Sequence, residues 1–168
     1  MIILSVDQGL ANFGYAVLKA DKDTVELLSY GCICTTSQGE QTTRIFKLMN
    51  EFEKLILTYK PDKIVHERLF FSPPGKNMRK KSASILNTNM ITGAMWYLAG
   101  KHNVTVEQYS PQTVKKVLTG NGRAEKAVMI KTIENMFTID CLKTRKEHIC
   151  DAIAIGMAYI KTYNKQED

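Results

Sequence analysis

The chain is poor in the residues that brace small secreted domains or cross bilayers. Its 168 residues include only 4 cysteines, 4 prolines and one tryptophan. Cys32, Cys34, Cys141 and Cys150 form no C-x-x-C pair, which excludes the common paired-thiolate zinc module. Cys32 and Cys34 flank Ile33 on what reads as a strand, so they point the same way. Buried, reduced thiols are the expectation. No apolar run approaches the roughly 20 residues of a membrane helix, so no membrane role is expected. The opening MIILSVDQGL lacks the basic segment of a secretory signal, and a cytoplasmic location is expected. One stretch has no acid at all: Arg68 to Val106 contains neither Asp nor Glu, whereas Arg68, Lys76, Arg79, Lys80, Lys81 and Lys101 are basic. With a formal net charge of +6, an anionic partner fits, as does a merely solvated basic face.

What is present is an ordinary globular balance, 44% hydrophobic and 24% charged, in a chain sized for one core. Ile2 to Val6 is a nearly continuous apolar run suited to a strand buried on both faces, and Asp7 follows it. Phe13–Lys19 and Val25–Cys34 read as further strands, with Asp21-Lys22-Asp23 as a hairpin turn between them. Gly14 marks a close backbone approach or a bulge. From Thr42 to Tyr59 the apolar residues Ile45, Leu48, Met49, Phe52, Leu55 and Ile56 recur at helical spacing, ended by Pro61. Lys63–Glu67 is a fourth strand, Lys80–Gly100 a second helix and Val104–Val106 a fifth strand. Ser110-Pro111 opens a short helix that stops at Gly120. Another helix is expected from near Arg123, and a last one over Glu147–Tyr163. Adjacent strands first, then strands separated by helices, predict an α/β domain spanning residues 1–168. Its core is a five-stranded mixed sheet flanked by helices on both faces.

Three carboxylates fall where sheet elements end or a helix begins. Asp7 closes the first strand, Glu67 the fourth, and Asp151 is expected in the first turns of the last helix, three residues after His148 on the same face. Taken singly, each has a plainer account: a turn cap, a strand-end charge, a helix N-terminal acid favoured by the dipole. Taken together, clustered carboxylates resist ionising unless a cation offsets them. Oxygen ligands in open geometry suit Mg²⁺ or Mn²⁺, and two such ions about 4 Å apart can clamp both oxygens of a phosphodiester displacement.

At these residues the sequence resembles the RuvC family of Holliday-junction resolvases, on a ribonuclease H-like fold. Ser5-Val6-Asp7-Gln8-Gly9 through Gly14-Tyr15-Ala16-Val17 is similar to the family's first motif, and His66-Glu67-Arg68-Leu69-Phe70-Phe71 to its second. Tyr109 to Lys115 and Gly120 to Lys126 resemble its third block, and His148-Ile149-Cys150-Asp151-Ala152-Ile153-Ala154 its last. The resemblance implies that Asp7, Glu67 and Asp151 bind metal, with His148 at a position that holds aspartate in many members and histidine in some. It places Phe70 as an aromatic stacking at the junction, Lys115 and Lys126 beside the scissile phosphate, and the active protein as a homodimer.

The expected activity is Mg²⁺-dependent nicking of four-way DNA junctions, two ions per site with Mn²⁺ as substitute, leaving 5′-phosphate and 3′-hydroxyl ends. Asp7, Glu67, His148 and Asp151 would hold the ions, and Lys126 or Lys115 would steady the developing charge. Phe70-Phe71 on the loop with Pro73-Pro74-Gly75 would meet bases. Lys76, Arg79, Lys80, Lys81, Lys115, Lys116, Arg123 and Lys126 would track phosphates. Two alternatives stay open: a ribonuclease H-type enzyme on RNA–DNA hybrids, and a junction-binding protein without turnover. Apolar residues around the second helix, Ile85, Leu86, Met90, Met95, Trp96 and Leu98, exceed one core face and agree with a dimer.

Overall fold

The computed structural model describes residues 1–68, 78–140 and 143–167, with only the main chain for 78–84, 143–144 and 165–167. In chain order the elements are β1 (Ile2–Asp7), β2 (Asn12–Ala20), β3 (Val25–Cys34), α1 (Gln41–Tyr59), β4 (Lys63–Glu67), α2 (Met78–Lys101), β5 (Thr105–Tyr109), α3 (Pro111–Thr119), α4 (Lys126–Met136) and α5 (Lys143–Glu167). The sheet runs β3-β2-β1-β4-β5, antiparallel from β3 to β1 and parallel from β1 to β5. This is the mixed five-stranded sheet that the element order predicts.

Alternation along the central strands divides the core in two. Ile3 of β1 and Val65 of β4 join residues of α3, α4 and α5 on one face. Leu4, Val6 and Ile64 join α1 and α2 on the other. A strand apolar at every position is the expected signature of such two-sided burial. On the α1 side, Leu48, Met49, Phe52 and Ile56 point inward at helical spacing, and Phe52 meets Phe13 edge-on with ring centres 5.7 Å apart. The short helix α3 is bounded as its sequence requires. Ser110 Oγ accepts from the Thr113 amide, Pro111 stands in the first turn, and Gly120 closes the helix at φ 76°.

Helix α5 is buried on nearly every side between Ile149 and Ile160 because it lies across β1 and β2. Two glycines permit this contact. A Cβ on Gly14 would fall 2.2 Å from the His148 carbonyl oxygen, and one on Gly156 would fall 2.6 Å from Ser5 Oγ. The close approach expected at Gly14 is therefore to α5.

Several boundaries differ from expectation. Helix α4 begins at Lys126 rather than near Arg123, because Asn121 Oδ1 accepts from the Arg123 amide and the Asn121 carbonyl from the Ala124 amide, holding a turn there. Helix α5 starts at Lys143, so Asp151 sits in its third turn, beyond the reach of a helix-end dipole. Strand β5 covers Thr105–Tyr109. Cys32 and Cys34 do face one side, their sulfurs 3.7 Å apart, but both are half-buried at a sheet edge, and only Cys150 has the expected burial. All three stand outside any disulfide, and Cys141 lies outside the described residues. Among the described residues no helix is long and apolar enough to cross a membrane.

Candidate active site

The acids are brought together by register. Asp7 pairs with Gly14 across the antiparallel ladder, and Gly14 is where α5 touches the sheet at His148. The consequence is direct: His148 Nδ1 and Asp7 Oδ2 are 2.8 Å apart. On the other side of β1, Val6 pairs with His66 in the parallel ladder, so Asp7 and Glu67 leave the sheet side by side. Ile3 and Val65 both face α5, so by alternation Asp7 and Glu67 face it too. Asp151 lies three residues beyond His148 on α5. A cleft of about 230 Å³ is lined by Glu67, Asp151, Lys115 and Lys126, floored by Met129 and Ala154.

The charges in this cleft act on one another. Burial, with the charges of Asp7 and Asp151 added, pushes the Glu67 carboxyl up to about 7, against the pull of Lys126 and Lys115. Burial also raises Asp151 above the usual carboxylate range, although a hydrogen bond from Lys126 opposes it. His148 is raised by its hydrogen bond to Asp7. Lys126, the first residue of α4, places its Nζ 3.0 Å from Asp151 and also pairs with Glu147.

Among the described residues no three His, Cys, Asp or Glu side chains stand as a ready-made metal cage. Asp7 is engaged by His148, and Asp151 by Lys126. The donor set nonetheless fits a hard divalent cation: carboxylate oxygens, one imidazole, and a glutamate that resists ionising beside two acids.

The basic residues divide between two places. Lys115 and Lys126 line the acidic cleft. Lys116 and Arg123 line a neighbouring groove with Ser110, Thr113, Asn121 and Gly122, about 620 Å³ in volume. Arg79, Lys80 and Lys81 belong to the first turn of α2, but their side chains lie outside the described residues, as do Phe70, Phe71, Pro73, Pro74, Gly75 and Lys76 altogether. Sequence reasoning missed Glu147, the second partner of Lys126, and it missed Gln8, His66 and Trp96. Gln8 Nε2 donates to the Glu67 carbonyl at 2.7 Å, and Trp96 Nε1 donates to His66 Nε2 at 2.9 Å. The position of Gln8, directly after Asp7, was the available signal.

Acids at the ends of two neighbouring central strands, faced by a helix that carries a third, on a β3-β2-β1-β4-β5 sheet, define the ribonuclease H-like class of nucleases. The family model described as crossover junction endodeoxyribonuclease RuvC matches residues 3–159. The chain belongs to the RuvC family. It is 33% identical over 162 residues to the crossover junction endodeoxyribonuclease RuvC of Ruminiclostridium cellulolyticum, covering 95% of this chain and 91% of that one. The RuvC of Alkaliphilus oremlandii is 31% identical over 170 residues, covering 99% and 97%. Among solved structures, Thermus thermophilus RuvC in complex with a Holliday junction superposes with a TM-score of 0.85 at 20% identity, covering 99% and 96%, a likeness of fold.

Proposed function

We propose that this chain is a crossover junction endodeoxyribonuclease that resolves four-way DNA junctions, acting as one domain of residues 1–168. The observation that carries the reading is the convergence of three acids from two strands and a helix: Glu67 and Asp151 line one cleft with Lys115 and Lys126, and the charge of Asp7, which is hydrogen-bonded to His148, acts on both. Asp7, Glu67, Asp151 and His148 would hold Mg²⁺, two ions per site, with Mn²⁺ able to replace it. Bound there, the metal supplies Lewis-acid polarisation of the scissile phosphate and an acidified water.

The protein's own groups do the rest. His148 fixes the Asp7 carboxylate by their shared hydrogen bond. Burial keeps water from screening Glu67 and Asp151, which strengthens their hold on a cation. The Lys126 and Lys115 ammonium groups line the same cleft, where they offset charge developing on the phosphate. Lys116 and Arg123 track the DNA backbone, with Lys76, Arg79, Lys80 and Lys81 extending the path and Phe70 stacking on an unpaired base. The products carry 5′-phosphate and 3′-hydroxyl ends.

Symmetric nicking needs two sites, and the protein acts as a homodimer in the cytoplasm. The outer side of α2 leaves Leu86, Met90, Trp96 and Tyr97 exposed, an apolar stripe that a second copy would cover. Sedimentation at micromolar concentration tests this directly; a monomer there removes the dimer.

The deciding experiment incubates the protein with a synthetic four-way junction and, separately, with an RNA–DNA hybrid, with and without Mg²⁺, and maps the nicks. Paired symmetric nicks in the junction, only with metal, are expected. Cutting confined to the hybrid, or junction binding without any nick, would replace the reading by one of its two rivals.

A further inference from the structure

Behind Glu67, on the face of the sheet away from α5, runs a polar chain inside an otherwise apolar core. His66 is 1% exposed and Gln8 5% exposed, and they stand 3.2 Å apart among the residues packed beneath α1 and α2. Buried polar groups are tolerated only when they are paired, so the pairing shows what they are for. Trp96 of α2 carries an indole N–H that can only donate, and it lies 2.9 Å from His66 Nε2. Nε2 is therefore the acceptor. An accepting Nε2 carries no proton, so the proton of the ring sits on Nδ1, 2.9 Å from the Glu67 carbonyl oxygen. Gln8 Nε2 donates to that same oxygen at 2.7 Å. Two donors, one from β4 and one from the residue just beyond β1, thus grip one carbonyl.

The location of that carbonyl gives the grip its meaning. The last pair of the β1–β4 ladder is Val6 with His66, so Asp7 and Glu67 lie where the ladder has run out. Gln8 supplies from its side chain the cross-strand bond that the main chain no longer provides. It follows Asp7 by one residue and ends on Glu67, so it spans the two acids along the backbone. Its other amide atom, Oε1, is buried with no partner among the described residues.

We propose that Trp96, His66 and Gln8 form a hydrogen-bonded clamp that fixes Glu67 relative to Asp7, and that all three are positioning residues for the reaction. This rests on Glu67 serving as proposed above. The clamp also ties α2 to the site through the sheet, since Trp96 is its outer end and is 47% exposed.

Trp96→Phe removes the N–H and keeps an aromatic ring, and Gln8→Leu removes the amide and keeps the volume. In the metal-free protein, each is expected to move the carboxyl carbon resonance of Glu67 in NMR spectra while leaving that of the distant Glu26 in place. The wild-type His66 ring should show its proton on Nδ1. On a four-way junction with Mg²⁺, each variant should slow single-turnover cleavage by about ten-fold with junction affinity unchanged. His66→Gln, which keeps an acceptor for Trp96, should retain more of the rate than His66→Leu. A proton on Nε2, or a Glu67 resonance unmoved in both variants, overturns the clamp. So does a loss of rate matched by an equal loss of affinity. Failure of the wild-type protein to cut junctions would sink the nuclease reading and leave the resonances to decide the clamp.

Discussion

Gly14 and His148 meet main chain to main chain, so closely that a Cβ on Gly14 would stand 2.2 Å from the His148 carbonyl oxygen. The obstacle is backbone, which cannot rotate away as a side-chain tip can. Gly14→Ala must push α5 off β2, and the first casualty is the 2.8 Å bond between His148 and Asp7. A loss of about 1–3 kcal/mol is expected from overpacking of this kind, together with loss of cleavage. Urea unfolding and junction nicking on the same preparation check both; an alanine variant as stable and active as the parent would refute the contact.

Asp7 pairs with Gly14 of β2 and shares a hydrogen bond with His148 of α5. Asp7→Asn keeps its shape and removes its charge. Nicking should fall by at least about a hundred-fold, while binding to a four-way junction survives, because the phosphate contacts proposed above belong to lysines and arginines elsewhere. Cleavage at the wild-type rate would end the assignment of Asp7 as a metal ligand.

Glu67 gives a pH signature. Its carboxyl titrates near 7 in the folded protein against 4.5 for an ordinary glutamate. The folded state holds this proton more tightly, so the favourable contribution is complete below pH 4.5 and is lost as pH climbs through 7. Glu67→Gln, which cannot ionise, is expected to exceed the wild type in stability at pH 8 by about 1–2 kcal/mol after allowance for solvent screening. The gap should close towards pH 4.5. Metal-free denaturant unfolding at both pH values measures it; a gap independent of pH would contradict the burial and repulsion described for this carboxyl.

The two groups of cations should separate by assay. Lys126 bridges Glu147 and Asp151 inside the cleft, so Lys126→Met is expected to lower the cleavage rate far more than junction affinity. Lys116→Ala and Arg123→Ala should do the reverse, weakening binding and flattening the salt dependence of log K by about 1 per residue. Titrations at several salt concentrations, alongside single-turnover rates, distinguish the two patterns. Identical patterns for all three variants would merge the groove with the cleft.

Much of this was legible in the residues. The apolar run Ile2–Val6, the helical spacing from Leu48 to Ile56 and the Ser110-Pro111 start are local signals, and each element formed where its own side chains dictate. The pairing of Asp7 with His148 was half legible: Gly14 announced a close approach but not which element would approach. The start of α5 was misplaced because residues 143–146, three of them basic, carry no apolar periodicity, and the tertiary context extends the helix through them. The start of α4 was misplaced because the side chain of Asn121 holds a turn that competes with helix. The clamp was illegible for a different reason. His66 and Trp96 are 30 residues apart on different elements, and only packing brings an indole to an imidazole.

Successive residues of β4 look out on different worlds. Glu67 opens onto the acidic cleft and His66 onto α2, yet a single peptide link joins them. The sheet is thus a partition one backbone thick. A protein or nucleic-acid surface that leaned on Trp96 would touch the nucleolytic centre through the wall, sharing neither solvent nor substrate with it.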